Sequence, residues 1–200
     1  MKEFVDVFDC ATEICKALKK GALLTTSREG HVNTMTIGWG TLGIEWSRPV
    51  FMVYVRESRY TRELLDKTGE FTINIPNEAT DKQILSLCGS KSGRDVDKVQ
   101  TLGLTLEEPE VIHVPGIREL PLTLECRVLS QHIQDAQSLP QDIQEHSYPE
   151  VNSCNVFLLQ PYKPLSAWSQ QRIVPLRHPF PWQSACAVSH TGLPFSSCGY

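Results

Sequence analysis

Residues 33–61 read NTMTIGWGTLGIEWSRPVFMVYVRESRYT. Two strand-like runs surround a turn in this stretch. The second run, Val50–Val55, is β-rich and almost wholly apolar, the pattern of a central strand. It empties into a polar loop carrying Arg56, Ser58, Arg59, Thr61 and Arg62, directly ahead of the helical pattern YTRELLDK. A helix start leaves backbone N–H groups unpaired and carries partial positive charge, so hydroxyls and guanidiniums at such a start suit a phosphate. Arg59 in particular can place two parallel N–H bonds on a phosphate, which a lysine cannot. Taken alone, the cluster also reads as a solvated cationic rim. The apolar strand leading into it favours a platform with an anion cradle, suited to a flat, phosphorylated cofactor.

Working outward, the spacing of Ile14, Ala17 and Leu18 predicts a helix over 10–20 with Gly21 as its stop. Ala22–Ser27 and Val32–Trp39 predict two strands joined by a tight turn at Arg28–Gly30. Tyr60–Lys67 predicts a short helix ended by Gly69, Glu70–Ile75 alternates as a strand should, and Ala79–Cys88 predicts another helix. A second polar loop, GSKSGRDVDK, follows at 89–98, with Ser92 and Asp95 spaced as a helix-start signal. Leu104–Leu106 and Leu122–Leu129 are further strands. Many short strands with inserted helices predict a mainly β chain, a small barrel in one domain.

The chain has 200 residues, 40% of them apolar, and a net charge of −4. That size supports one core, and the charge argues against nucleic acid as a partner. No apolar run is long enough for a membrane helix, and the charged N-terminus does not read as a secretory signal. The seven cysteines include no CxxC pair, and an odd number closes no disulfide framework. They read as reduced thiols of a cytoplasmic protein. Cys88 is a candidate nucleophile, although a buried cysteine is commonly a small hydrophobe. His31, His113 and His132 lack metal-ligand spacing, so no metal site is expected.

After Glu150 the composition changes. All 23 acidic residues precede this point, while six of the thirteen prolines follow it. Residues 1–150 carry net −7 and residues 151–200 net +3. The expected division is a folded domain over 1–150 and a divergent, proline-rich tail over 151–200, with Val156–Leu159 its one strand seed. The prolines argue against central strands there. The tail's aromatic residues are too apolar for ordinary disorder, which points to an alternative exon or altered reading frame.

The segments NTMTIGWGTLGIEWSRPVFMVYVRESRYTRELL, GEFTINIP and CGSKSGRDVDK, in this order, resemble the flavin reductase-like, FMN-binding split-barrel proteins, the flavoredoxin branch in particular. The resemblance covers roughly residues 10–130. It implies a split β-barrel, a homodimer, FMN near the subunit interface, and electron transfer through the flavin from NADH or NADPH to a small-molecule or protein acceptor. No side chain need be catalytic, because the flavin carries the electron chemistry. Carried over by position, Asn33, Thr34, Met35, Thr36 and Ile37 would border the isoalloxazine ring and offer it main-chain donors. Trp39 would lie near the ring or form the pocket wall. Ser58, Arg59 and Thr61 would hold the phosphate. Gly89, Ser90, Lys91 and Arg94 would close the site from the second loop, with a nicotinamide phosphate as a further candidate ligand. One departure stands out. The family pattern ends in another barrel strand with a His-containing motif from about residue 155, and the proline-rich tail stands in its place. The expectation is therefore a missing strand, an open ladder and impaired turnover. A non-catalytic FMN carrier and an inactive product with a disrupted C-terminus are the rival readings.

Overall fold

A computed structural model describes residues 4–148, 154–161 and 173–175. Its elements in chain order are α1 (Ala11–Lys20), β1 (Ala22–Arg28), β2 (His31–Ile37), β3 (Gly40–Glu45), β4 (Arg48–Arg56), α2 (Tyr60–Thr68) and β5 (Glu70–Ile75). They continue with α3 (Lys82–Ser90), α4 (Lys98–Leu102), β6 (Leu106–Glu107), β7 (Gly116–Ile117), β8 (Leu122–Ile133), α5 (Gln141–Ser147), β9 (Cys154–Pro161) and β10 (Ile173–Pro175).

One antiparallel path runs β2-β1-β5-β8-β9-β4-β3, and β10 pairs β8 off it. The two ends of the path, β2 and β3, are consecutive in the chain, joined only by Gly38 and Trp39. The sheet therefore curls until its edges approach, yet no ladder joins them. This is a split β-barrel. One apolar cluster draws Leu24, Ile37, Phe51, Phe71, Leu124 and Phe157 from β1, β2, β4, β5, β8 and β9, as only a curled sheet can arrange. Phe51, Phe71 and Phe157 are fully buried, worth roughly 1.5–3 kcal/mol each. Helix α1 buries Ile14, Ala17 and Leu18, the stripe its spacing predicted, into the same cluster. A second cluster, including Leu23, Ile84 and Cys88, packs α3 on the outer side of β1. Both sides of β1 are thus covered, which explains its unbroken apolar start.

The predicted hairpin forms. Glu29 and Gly30 both have positive φ, 53° and 81°, as a two-residue type I′ turn requires. Arg28 pairs with His31, and the register runs without a slip to Ala22 opposite Ile37. The second strand ends at Ile37, short of Trp39. Residues 40–45 form a strand that the pattern reading did not separate, turned into β4 at Trp46 and Ser47, which also have positive φ. Trp46 is 62% exposed at this tip. The predicted helix at 79–88 begins instead at Lys82, because the Asp81 side chain accepts from the Gln83 N–H and caps it. Ser92 starts no helix. Its Oγ accepts from the Arg94 N–H in a turn, and α4 is capped by Asp97.

Two buried polar residues pin the sheet. Asn74 Nδ2 donates to the hydroxyls of Thr25 and Thr72, both at 3.1 Å, and its Oδ1 accepts from Ile117 N–H and Thr123 Oγ1, both at 2.9 Å. Glu125 accepts from the N–H groups of Glu110, Val111 and Ile112, fixing the loop that returns to β7.

The missing-strand expectation is corrected. Strand β9 occupies the interior of the sheet, laddered to β4 from Phe51 to Arg56 and to β8 from Cys126 to Ile133. The physical reason is the spacing of the prolines: none falls between 149 and 161, and Pro161 sits at the strand's last position, where the ladder ends. Val156–Leu159 was the correct seed. Most of the expected tail lies outside the described residues.

Deleting residues 154–161 would open ladder edges on both β4 and β8 and uncover the Phe157 site. The expected outcome is loss of the cooperative thermal transition and aggregation, read by circular dichroism and size-exclusion chromatography. A soluble truncated chain with an unchanged melting temperature would count against an interior role for β9.

Candidate functional site

Strand β2 is one edge of the split. In a two-residue hairpin the closing pair, Arg28 with His31, exchanges both hydrogen bonds, and bonded pairs then alternate with unbonded ones. Val32, Thr34 and Thr36 consequently turn their main-chain N–H and C=O groups away from β1, off the free edge. The geometry agrees: the Thr34 carbonyl accepts from Lys98 Nζ at 2.7 Å. Side chains alternate as well. Met35 and Ile37 join the barrel core, while Thr34 and Thr36 face the helix layer.

An open cleft of about 490 Å³, counting space open to solvent, lies along this edge. One wall holds Asn33, Met35 and Thr36; another holds Ser58, Arg59 and Thr61; a third holds Gly89, Lys91 and Arg94. Walls whose residues lie 22 to 61 positions apart in the chain thus meet in one place. Three contacts join them. Asn33 Nδ2 donates to Thr61 Oγ1 at 2.9 Å. Arg94 pairs with Glu63, donates to the Ser58 carbonyl at 3.4 Å and lies 5.2 Å from the Tyr60 ring centre. Gly93 packs so closely that a Cβ there would sit 1.9 Å from Asn33 Oδ1.

The Arg56–Arg62 loop divides by direction. Arg59 lines the cleft. Arg56 turns away, lying 5.5 Å from the Trp39 ring centre and 5.7 Å from that of Tyr148, and donating to the Ser147 carbonyl at 2.7 Å. Arg62 pairs with Asp66 and lies 5.5 Å from the Phe157 ring centre. Arg59 occupies the N-cap of α2 and supplies no side-chain acceptor. A guanidinium at this position is the reverse of ordinary capping preference. It leaves the first N–H groups of α2 beside a cation, which is the donor set of an anion site.

Of the residues singled out in the sequence, Thr34, Ile37, Trp39 and Ser90 have side chains outside the cleft lining. Thr34 is fully buried, its Oγ1 bonded to Thr25 Oγ1 and the Leu24 carbonyl. Ile37 belongs to the core. The Trp39 ring lies against Arg56 and, tilted by 52°, against Tyr148. Ser90 Oγ donates back to the Ser86 carbonyl of its own helix. Tyr60, Ser92, Gly93 and Lys98 line the cleft and were not chosen from the sequence; Cys88, chosen there only as a candidate nucleophile, lines it too. Lys98 is the most informative. It is 5% exposed, donates to the carbonyls of Thr34 and Cys88, and has no carboxylate partner among the described residues. Its one sequence signal is a lysine in the first turn of a helix, where acids are favoured. Burial lowers its pKa, the neighbouring Cys88 thiol raises it, and Arg59 lowers it further. Cys88 itself is pushed up to about 11 by burial, with Lys98 pulling the other way. A thiol so raised is a poor nucleophile at neutral pH.

The flavin reductase-like domain model matches residues 18–147. A protein of Archaeoglobus fulgidus is 34% identical over 99 residues, which cover 50% of this chain and 55% of that protein. The chain spans about half the length of the curated relatives it matches. Among solved structures, flavoredoxin from Methanosarcina acetivorans has a TM-score of 0.55 at 26% identity, covering 72% of this chain and 66% of that one. An FMN-binding domain of a flavin reductase-like enzyme from Shewanella baltica has a TM-score of 0.56 at 20% identity, covering 80% and 74%. No helix among the described residues is long and apolar enough to cross a membrane.

Gly93→Ala would push Asn33 off Thr61 and separate the first two walls. The expected cost is about 1–3 kcal/mol, in the range for overpacking, measured by urea denaturation; unchanged stability would mean the turn shifts freely. The raised Cys88 also makes a pH prediction. The unfolded chain loses this thiol proton near 9.0 while the folded chain keeps it to about 11. Its contribution is therefore complete below 9 and falls away as pH rises through 11. Cys88→Ala should make the alkaline decline of stability shallower, as read from unfolding midpoints across pH 8–11.

Proposed function

This chain belongs to the flavin reductase-like domain family, and from that premise we propose that it binds FMN and works as a flavin-dependent oxidoreductase. The observation that carries this reading is the helix start of α2, where Arg59 stands at the N-cap beside Ser58 and Thr61, next to a strand edge of outward N–H groups. The residues present suit the group. Gly93 lets the second loop approach Asn33 and Tyr60 more closely than a Cβ would allow. The cations Arg59, Lys91 and Lys98 have no carboxylate partner among the described residues, so the cleft asks for an anion.

In this reading Ser58, Arg59, Thr61 and the first N–H groups of α2 hold the phosphate. Charge-assisted hydrogen bonds of this kind contribute about 1.5–3 kcal/mol each. Thr34 and Thr36 present main-chain N–H groups to the polar edge of the ring, and Met35 forms an apolar floor. Gly89, Lys91 and Arg94 close the site from the second loop. FMN, when bound, supplies the electron chemistry. The protein's part is to fix donors in advance where negative charge collects, so that little reorganisation accompanies reduction. A reduced nicotinamide is the proposed donor, and a small molecule or protein the acceptor. We also propose a homodimer in the cytoplasm, in keeping with the five free thiols among the described residues.

The visible spectrum of purified protein titrated with FMN tests the reading, with NADH or NADPH then added. Retained yellow flavin that bleaches with nicotinamide is expected. Flavin retained but never bleached would favour a carrier, and no retained flavin would refute the proposal. Arg59→Ala should weaken FMN binding by about ten- to a hundredfold, the equivalent of one lost charge-assisted bond; unchanged affinity would move the phosphate elsewhere.

A further inference from the structure

Along the free edge of β2 the outward groups alternate: the Thr34 N–H, then the Thr34 carbonyl, then the Thr36 N–H. Bare, such an edge is mixed, and it would accept a hydrogen bond from a ligand as readily as donate one. Lys98 changes this. Its Nζ covers the Thr34 carbonyl at 2.7 Å and reaches the Cys88 carbonyl, in the last turns of α3, at 3.1 Å. An ammonium has three donors and no acceptor, so one N–H remains after these two bonds. The group is buried, lines the cleft and has no carboxylate counterion among the described residues.

We propose that Lys98 is a positioning residue that converts the β2 edge into a strip presenting only donors between Thr34 and Thr36, so that the cleft selects a ligand edge rich in acceptors and favours it further once that edge gains negative charge. This rests on the flavin reading and deepens it: the selectivity falls on the ring, whereas Arg59 acts on the phosphate. The clamp also spans β2 and α3, tying the donor strip to the Gly89–Arg94 turn. The charged and titratable groups facing Lys98 are Cys88 on α3 and Arg59 ahead of α2. Neither is an anion at neutral pH, so the bound ligand is the counter-charge.

The experiment compares wild type, Lys98→Met, Lys98→Arg and Arg59→Ala, titrated with FMN and with riboflavin, which has the ring but no phosphate. Lys98→Met is expected to weaken both flavins by about tenfold or more, and Arg59→Ala to weaken FMN alone. The midpoint potential of bound FMN should fall by about 30 mV in Lys98→Met, a tenfold loss of preference for the reduced form. Lys98→Arg, which keeps charge and donors, should recover most of that potential. An unchanged potential, or weakening of FMN without riboflavin, overturns the assignment. Should Lys98→Met not fold, ¹⁵N-lysine NMR of the wild type decides: FMN is expected to shift the Lys98 Nζ signal and raise its titration midpoint, and an unmoved signal overturns the proposal. A wild type that binds neither flavin refutes the flavin reading itself, whereas normal wild-type binding with an unaffected Lys98→Met refutes only this one.

Discussion

The two-residue turn at Glu29 and Gly30 constrains everything built around the cleft. Both residues take positive φ, and the turn admits no slack in the register of β1 against β2. Parity then decides which peptide groups of β2 are spent on β1 and which are left over. A slip of one residue would send Met35 to the helix layer, bring Thr34 and Thr36 into the barrel, and exchange the outward peptide groups for the inward ones. The core side chains and the free-edge donors are thus two outcomes of one hairpin geometry.

Around that edge the protein gathers positive charge at a cost. Lys98 is buried with no carboxylate partner among the described residues, and Arg59, which stands where a helix prefers an acceptor, lowers the Lys98 pKa beyond the effect of burial. Neighbouring cations are handled quite differently. Arg62 and Arg94 are paired with Asp66 and Glu63, and Arg56 lies against two aromatic rings. Neutralising these cations while leaving Arg59, Lys91 and Lys98 of the cleft without a carboxylate partner among the described residues is the electrostatic signature of a site that expects an anion.

Much of this was legible in the residues. The 3.6-residue stripe of α1, the alternation of β5 and the apolar run of β4 carried their own evidence. The polar loops at 56–62 and 89–98 were correctly singled out as regions, and nine of the residues chosen from them and from β2 line the cleft. Individual side chains were harder. Arg56, Arg59 and Arg62 are alike in composition, and only their places at the end of β4, at the N-cap of α2 and in its first turn send them in three directions. Trp39 looked like a continuation of β2, but the strand stops at Ile37 and the ring turns to Arg56. Lys98 left almost no trace, because its role depends on a carbonyl 64 positions earlier.

Sequence by itself determined the mainly β character, the tight hairpin, the short helix behind an anion-suited loop and the family likeness, since each is written in local periodicity, turn chemistry or motif order. Tertiary structure alone decided that β9 fills the gap between β4 and β8, that the split falls beside β2, and that three distant loops share one cleft. The reason is physical: local pattern fixes which face of a segment must be buried, but which segments meet depends on closing long loops of chain, and no short window of residues records that outcome.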